Sequence, residues 1–206
     1  MRVSDYALVI IVKDTKDFNL QELSETLARG VIKVISRLVE SPTDEFTQWN
    51  SSNYRKILKR LKPKDFAKIP KDAVTFFRND HVEIAIFDPA IKGHEHPSIK
   101  RAQVSGLTVL ESTDFSFVKD RPALRITTNK SLEMSPAKEA VAAAHASHQA
   151  FLSVTESFKE KWANNDYALE VESSFLSDVE YDIEIHDSGF TEVEPNSITS
   201  VASWLY

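Results

Sequence analysis

Apolar residues follow two patterns along this chain, short continuous runs and longer stretches with helical spacing. Residues 6–12 form a continuous β-branched run, which predicts a buried strand. From Asn19, a favourable helix N-cap, apolar residues recur every three or four positions as far as Val39 and predict an amphipathic helix. Further short apolar runs predict strands at 74–78, 82–87, 102–110, 167–171, 179–186 and 197–204.

A second strand and helix follow the same pattern later in the chain. Residues 123–128 predict a strand, and Ser135 and Pro136 are suited to the N-cap and first position of a helix that runs to about Val154. Lys138 then occupies the third helical position, although the first turn of a helix favours acidic residues. A lysine beside free backbone N–H groups predicts an anion-binding corner. The alternative is a solvent-facing lysine on an ordinary amphipathic helix.

The two strand–helix stretches align with each other without a gap, 116 positions apart. Ile10 meets Ile126, and the predicted cap Asn19 meets Ser135. Later in each half, a second alignment with an offset of 99 positions places Asp88 opposite Asp187. The difference between the offsets of 116 and 99 positions is about the length of the basic segment at residues 54–71. This agreement suggests that the basic segment is an insertion in the first half. We favour duplication over a shared strand–helix rhythm.

These patterns predict an α/β fold made of two related halves, each with the element order strand–helix–strand–strand–strand. We expect each half to be a mixed sheet flanked by helices, and the two halves to be related by a pseudo-two-fold duplication. We expect residues 1–110 to form a degenerate half with a basic helix inserted at 54–71. Residues 111–120 are predicted to be a linker, and residues 121–206 the second half. Such a chain imitates a homodimer, so the monomer and the homodimer are both compatible with it.

Charge is distributed unevenly along the chain. Its net charge is −6, which argues against general attraction to nucleic acids, yet residues 54–71 contain eight Lys or Arg and one acid. In the predicted basic helix, Arg55, Lys56, Lys59 and Arg60 would lie together on the outward side and bind RNA phosphates. The alternative is a solvated helix face.

Several kinds of chemistry are unsupported by the sequence. It has no cysteine, so it cannot form a disulfide or a thiolate metal site, which fits a reducing compartment. The N-terminal residues do not resemble a signal peptide, and no apolar run is long enough for a membrane span, so we expect a cytoplasmic protein. His145 and His148 lack an evident third ligand. We therefore predict structural histidines and no metal or cofactor.

Two sequence blocks carry a resemblance to a known family. The first comprises SLEM at 131–134, Ala137-Lys138, VAA at 141–143 and His145-Ala146, and the second is HDSGFTE at 186–192 followed by Pro195. In this order they resemble peptidyl-tRNA hydrolases of the archaeal and eukaryotic type. The resemblance covers residues 121–206, and longer bacterial members of the family share the N-terminal half.

The resemblance implies that Lys138, Asp187 and Thr191 form a catalytic group acting on the ester bond of peptidyl-tRNA. Lys138 would stabilise the developing oxyanion, Asp187 would hold or deprotonate water, and Thr191 would orient it. The implied partner is peptidyl-tRNA, with no role for DNA or a membrane. Without the resemblance, the second block is equally well explained as an aspartate-initiated turn.

This chain departs from the family pattern at four positions close to the implied site. Ala142 and Glu192 replace glutamines, and His186 and Phe190 replace arginines. These differences remove basic and polar groups from the expected RNA-facing surface. They favour an alternative function, an inactive relative that serves as an RNA- or protein-binding module.

Overall fold

The structure is a computed structural model that describes residues 6–52, 54–72, 74–91, 96–111, 122–189 and 192–206. In the first half the elements are β1 (Tyr6–Lys13), α1 (Leu20–Glu40), α2 (Asp44–Asn50), β2 (Lys56–Leu61), α3 (Pro63–Phe66), β3 (Thr75–Arg78), β4 (Glu83–Ile91) and α4 (Pro97–Arg101). In the second half they are β5 (Ala123–Asn129), α5 (Pro136–Ser153), α6 (Glu156–Asn164), β6 (Leu169–Ser174), β7 (Ile183–His186) and β8 (Ile198–Leu205). The predicted linker lies outside the described residues, except for Glu111.

The strands form two four-stranded mixed sheets with the same connectivity. Their orders are β2-β1-β4-β3 and β6-β5-β8-β7. In each sheet the first two strands in this order are parallel and the other neighbours are antiparallel. The predicted α/β fold of two related halves is therefore confirmed. No strand forms over the predicted 102–110 range, where Gln103 and Leu110 make only isolated bridges.

Strand register identifies equivalent residues in the two halves. Leu8 on β1 pairs with Lys56 on β2, and Leu124 on β5 pairs with Leu169 on β6. Because Leu8 and Leu124 align in sequence, Lys56 occupies the position that Leu169 has in the second half. A buried lysine thus stands where the related half has a fully buried leucine.

A tryptophan motif repeats with the same spacing. The indole N–H of Trp49 donates to the Arg55 carbonyl at 2.8 Å, and that of Trp162 donates to the Ala168 carbonyl at 2.8 Å. Both rings are fully buried, and a tyrosine with positive φ follows five residues after each of them. Such a shared detail of side-chain bonding and backbone conformation supports duplication more strongly than common topology does.

The predicted basic helix at 54–71 is wrong. Residues 56–61 form β2, which is parallel to β1 as β6 is to β5, so this segment is the counterpart of β6 and not an insertion. Lysine and arginine favour helices locally, but strand pairing overrides that preference. Since successive side chains of a strand point to opposite faces, Arg55, Lys56, Lys59 and Arg60 do not share one outward face.

The alignment at 99 positions is also wrong. Asp88 lies within β4, whose counterpart is β8, whereas Asp187 directly follows β7, whose counterpart is β3. The residue equivalent to Asp187 is therefore Asn79, which directly follows β3. Asp88 instead pairs with Arg37 in the first half.

Helices α1 and α5 pack against each other and join the two halves. Small residues on α5 permit this close packing, and the Ser147 hydroxyl donates to the Ala28 carbonyl on α1 at 3.1 Å. Tyr167 donates to the Ser36 hydroxyl at 2.9 Å. One hydrophobic cluster contains residues from both sheets and from both helices. Among the described residues, no helix is both long enough and apolar enough to cross a membrane.

The duplicated tryptophans give a matched pair of stability predictions. We expect Trp49→Phe and Trp162→Phe each to lower the free energy of unfolding by about 1–3 kcal/mol, because each removes the indole hydrogen bond and replaces a fully buried ring with a smaller one. Urea unfolding of the two variants beside the parent protein measures both values. A loss at one position with no loss at the other would show that the two bonds are not energetically equivalent.

Candidate functional site

The start of α5 has an unusual cap that leaves its third position available to a lysine. In α1 the third residue, Glu22, accepts a hydrogen bond from the N-cap N–H of Asn19 at 2.9 Å. In α5 that acceptor is the carboxylate of Glu192, which receives the Ser135 N–H at 2.9 Å and its hydroxyl at 2.8 Å. Because a distant glutamate completes this cap, Lys138 can occupy the third position.

Lys138 and Asp187 meet in space, as the resemblance implies. The Lys138 amine forms an ion pair with Oδ2 of Asp187, and the two side chains are only 12% and 15% exposed. Oδ1 of Asp187 accepts the N–H of Gly189 at 2.7 Å. Gly189 has φ 72°, and a Cβ there would lie 2.4 Å from Pro195 Cγ, so the turn requires glycine. Thr191 and Phe190 lie outside the described residues.

The anion-binding corner predicted at this helix start is occupied from within the protein. Glu192 accepts the Ser135 N–H, and Asp187 holds the Lys138 amine. A substrate anion therefore has to separate Lys138 from Asp187 before it can contact the lysine. The same ion pair keeps the two proposed catalytic groups adjacent.

A cleft of about 550 Å³ brings this ion pair opposite the basic strand. Its second-half wall includes Lys138, His145 and Asp187, and its first-half wall includes the following residues of the β2 region: Tyr54, Arg55, Lys56 and Lys59. Three of the four predicted RNA-binding residues thus line the cleft. The fourth, Arg60, bonds Asp14 at 2.5 Å and the Ser105 carbonyl at 2.8 Å.

Lys56 lies in a buried cluster at the edge of the cleft. Its amine is 3.2 Å from Nδ1 of His145 and 3.1 Å from Nδ1 of His148. The rings of Trp49 and Tyr54 lie 5.3 and 5.0 Å from the same nitrogen, measured to their centroids. These contacts place an amine and two imidazoles inside an aromatic surround.

Burial governs the protonation of this cluster. Desolvation holds the pKa of the Lys56 amine well below its ordinary value of 10.5. Desolvation, followed by the charge of Lys56, also holds the pKa values of His145 and His148 well below 6.5. The uncharged forms of all three groups are therefore favoured by their surroundings.

His186 forms contacts within its own half of the protein. Its ring is half exposed and contacts Glu184 at 3.0 Å and the Asn196 carbonyl at 3.2 Å. The Glu184 carboxylate, and secondarily that carbonyl, raise the pKa of His186 above 6.5. Both of these partners belong to the protein itself.

Sequence reasoning missed the importance of Lys56 because the helix prediction placed it on a solvent-facing surface. The repeated tryptophan and tyrosine, five residues apart in both halves, are the sequence signal that would have aligned Lys56 with Leu169. His148 is fully buried and His145 partly buried. Within the described ranges, no group of three His, Cys, Asp or Glu side chains is arranged to hold a metal ion.

Compared with known proteins, the chain matches no family model, no curated protein and no solved structure. Function must therefore be argued from the cleft itself. Its described residues provide an ion-paired lysine and aspartate, a basic strand on the opposite wall, and a buried amine that contacts His145 at the cleft and His148 in the core behind it.

Proposed function

We propose that this protein hydrolyses the ester bond of peptidyl-tRNA and so releases the peptide and the tRNA. The observation that carries the proposal is the contact between Lys138 and Asp187 in a cleft whose other wall is basic. Hydrolysis of an ester attached to a polyanionic RNA needs groups that act on the ester and groups that bind the RNA. In this proposal the Lys138–Asp187 pair acts on the ester carbonyl, and basic residues of β2 and its start bind the phosphates.

The chemistry proceeds by attack of water on the ester carbonyl. Lys138 leaves Asp187 and contacts the carbonyl oxygen, where its charge stabilises the oxyanion as the carbonyl bond opens. Asp187, released from the lysine, accepts a proton from the attacking water. The carbon–oxygen bond to the ribose then breaks, and the ribose oxygen takes up a proton. Thr191 is assigned an orienting role on the resemblance alone.

The basic wall accounts for recognition of the nucleic acid in a chain whose net charge is −6. Arg55 is exposed, and Lys59, which donates to the Ile99 carbonyl at 3.1 Å, remains partly exposed. Phosphate contacts from such residues supply affinity that does not depend on sequence. Lys56 is buried, so we assign phosphate binding to Arg55 and Lys59 and withdraw it from Lys56 and Arg60.

The direct test is release of an N-acetylated amino acid from tRNA by the purified protein. We expect release that is proportional to enzyme concentration, and slower release from unblocked aminoacyl-tRNA, whose cationic amine would lie near Lys138. No release above the buffer rate, with the protein in excess over substrate, would overturn the proposal.

The internal occupation of the helix start favours a second candidate, an RNA-binding module without turnover. Asp187 and Glu192 hold the Lys138 amine and the Ser135 N–H that an oxyanion would need. If this candidate is correct, the protein binds tRNA in a salt-dependent manner but releases no amino acid. The hydrolysis assay and a binding titration together separate the two functions.

Phosphate binding by the cleft wall gives a further prediction. We expect Arg55→Gln and Lys59→Gln each to weaken tRNA binding and to reduce the slope of log K against log salt by about 0.7–0.9 per lost contact. Arg37→Gln removes the same charge at an exposed site outside the cleft and serves as the matched control. Equal salt slopes for all three variants and the parent would exclude Arg55 and Lys59 from the RNA interface.

A further inference from the structure

Lys56 occupies a position where the fold does not require a lysine. The equivalent residue of the second half, Leu169, is fully buried and belongs to the shared hydrophobic cluster. Among the described residues, no carboxylate forms an ion pair with Lys56. A buried lysine without such a counter-charge is unfavourable for folding, so its presence calls for a chemical role.

The neighbours of Lys56 prepare its amine for reaction. With His145 and His148 in their uncharged forms and the Nδ1 atoms as acceptors, the neutral amine donates one N–H to each ring. These two bonds use both hydrogens and leave the nitrogen lone pair uncommitted. Lys56 and His145 both line the cleft, and we take the cleft as the route by which a small molecule reaches this nitrogen.

We propose that Lys56 is a nucleophilic amine that condenses with the carbonyl group of a small aldehyde or ketone in the cleft and forms an imine. Desolvated lysines with lowered pKa are suited to this chemistry because the neutral amine is the nucleophile. Arg55 and Lys59 line the same cleft, so carbonyl compounds with a neighbouring carboxylate or phosphate are the preferred class. This inference does not rest on the proposed ester hydrolysis.

The reaction needs no partner beyond the carbonyl compound. The lone pair of the Lys56 nitrogen attacks the carbonyl carbon, and the carbonyl oxygen takes up a proton as the nitrogen loses one. The resulting carbinolamine then loses its hydroxyl as water, which carries away the second nitrogen-bound proton as the C=N bond forms. His145, whose Nδ1 lies 3.2 Å from the amine, transfers these protons between nitrogen and oxygen. His148 holds the amine in position from inside the core.

The test is trapping with glyoxylate and sodium cyanoborohydride at pH 7 on the folded protein, followed by peptide mapping. The reductant converts an imine into a stable carboxymethyl-lysine at the lysine that formed it. We expect Lys56 to be modified at least about tenfold faster than Lys138 and Lys161, because desolvation raises the neutral fraction of the Lys56 amine and a pKa unit changes that fraction about tenfold. Modification of other lysines with Lys56 unmodified would overturn the proposal.

Variants distinguish a reactive amine from a merely accessible one. Lys56→Leu, which copies Leu169, should abolish the mapped adduct at that position and leave the slow labelling of Lys161 unchanged. His145→Gln retains a polar side chain but not the proton-transferring ring, and should slow labelling of Lys56 about tenfold or more. If His145→Gln labels Lys56 at the parental rate, the proton-transfer role is wrong. Should either variant fail to fold, peptide mapping of the parent protein still decides the proposal.

The pH profile and the ligand preference provide independent readouts. The groups around the amine are His145 and His148 on α5, Trp49 on α2 and Tyr54 before β2, with Lys138 elsewhere on α5 acting on His145. The rate of Lys56 labelling should level off below pH 10.5, the ordinary pKa of a lysine amine, because desolvation lowers the pKa of Lys56. A labelling rate of Lys56 that still rises steeply up to pH 10.5 would show an ordinary amine and overturn the proposal. Glyoxylate should outcompete propionaldehyde in the parent protein and lose this advantage in Arg55→Gln.

Discussion

The double variant Lys56→Leu/His148→Ile is expected to be more stable than the parent protein by about 1–4 kcal/mol at neutral pH. At each position it installs the residue that the other half has at the equivalent position, Leu169 on β6 for Lys56 and Ile32 on α1 for His148. Both of these residues are fully buried in the shared hydrophobic cluster. The exchange replaces a desolvated amine and imidazole with side chains that favour burial.

The single variant Lys56→Leu should gain less than the double variant. Removal of the amine leaves Nδ1 of His148 and Nδ1 of His145 without their shared donor, and an unpaired buried polar atom costs about 1–3 kcal/mol. Urea unfolding of the single and double variants measures the difference. Lys161→Leu, at an exposed position on α6, is the control and should change stability by less than about 0.5 kcal/mol. A double variant less stable than the parent would show that the polar cluster itself stabilises the fold.

The stability advantage should depend on pH in a defined direction. Because the folded pKa of Lys56 lies well below 10.5, the unfolded chain binds a proton that the folded chain does not, over the range between those values. Stability of the parent protein therefore rises with pH across that range, and the advantage of the double variant shrinks toward pH 10.5. The lowered pKa values of His145 and His148 have an effect of the same sign below pH 6.5. The unfolded chain binds protons there that the folded chain does not, so stability falls as the pH is lowered.

Loss of either member of the Lys138–Asp187 pair should reduce peptidyl-tRNA hydrolysis by about 10²–10³-fold. Lys138→Gln removes the charge that stabilises the oxyanion, a contribution of this size in other enzymes. Asp187→Asn removes the base but retains an amide oxygen that can accept the Gly189 N–H. Both variants should bind tRNA nearly as the parent does, because phosphate contacts are assigned to β2.

An ion pair in the first half provides the control for these hydrolysis measurements. Arg37→Gln and Asp88→Asn remove a comparable pair whose members are 50% and 44% exposed and lie outside the cleft. Single-turnover rates with saturating enzyme separate loss of chemistry from loss of binding. Parental rates in Lys138→Gln would remove this lysine from the mechanism. Equal losses in all four variants would point to a general effect on the fold.

Local sequence determined most of the framework. Asn19 and Ser135 are the N-caps of α1 and α5, as their side-chain chemistry predicts, and the β-branched run at the start of the chain is β1. Capping and hydrophobic periodicity depend on neighbours within one or two turns, so they are visible in a single chain. The repeat at 116 positions was visible for the same reason, since its strand and helix are continuous in both halves.

Other features depend on residues that are distant in sequence. The segment of residues 56–61 has a composition that favours a helix, and only pairing with β1 makes it a strand. That pairing buries Lys56 against two histidines of α5, about ninety positions away. Glu192 caps α5 across 57 positions and thereby leaves the third helical position to Lys138.

The candidate site shows the same division between local and long-range information. The sequence by itself determined that Lys138 begins a helix, and a resemblance between two blocks suggested that Asp187 belongs beside it. Tertiary structure alone decided that the two groups form an ion pair, that Arg60 turns to Asp14, and that the basic strand faces the pair across a cleft. Propensities and caps are short-range energies, whereas strand pairing and the burial of charge are set by elements that meet only when the whole chain folds.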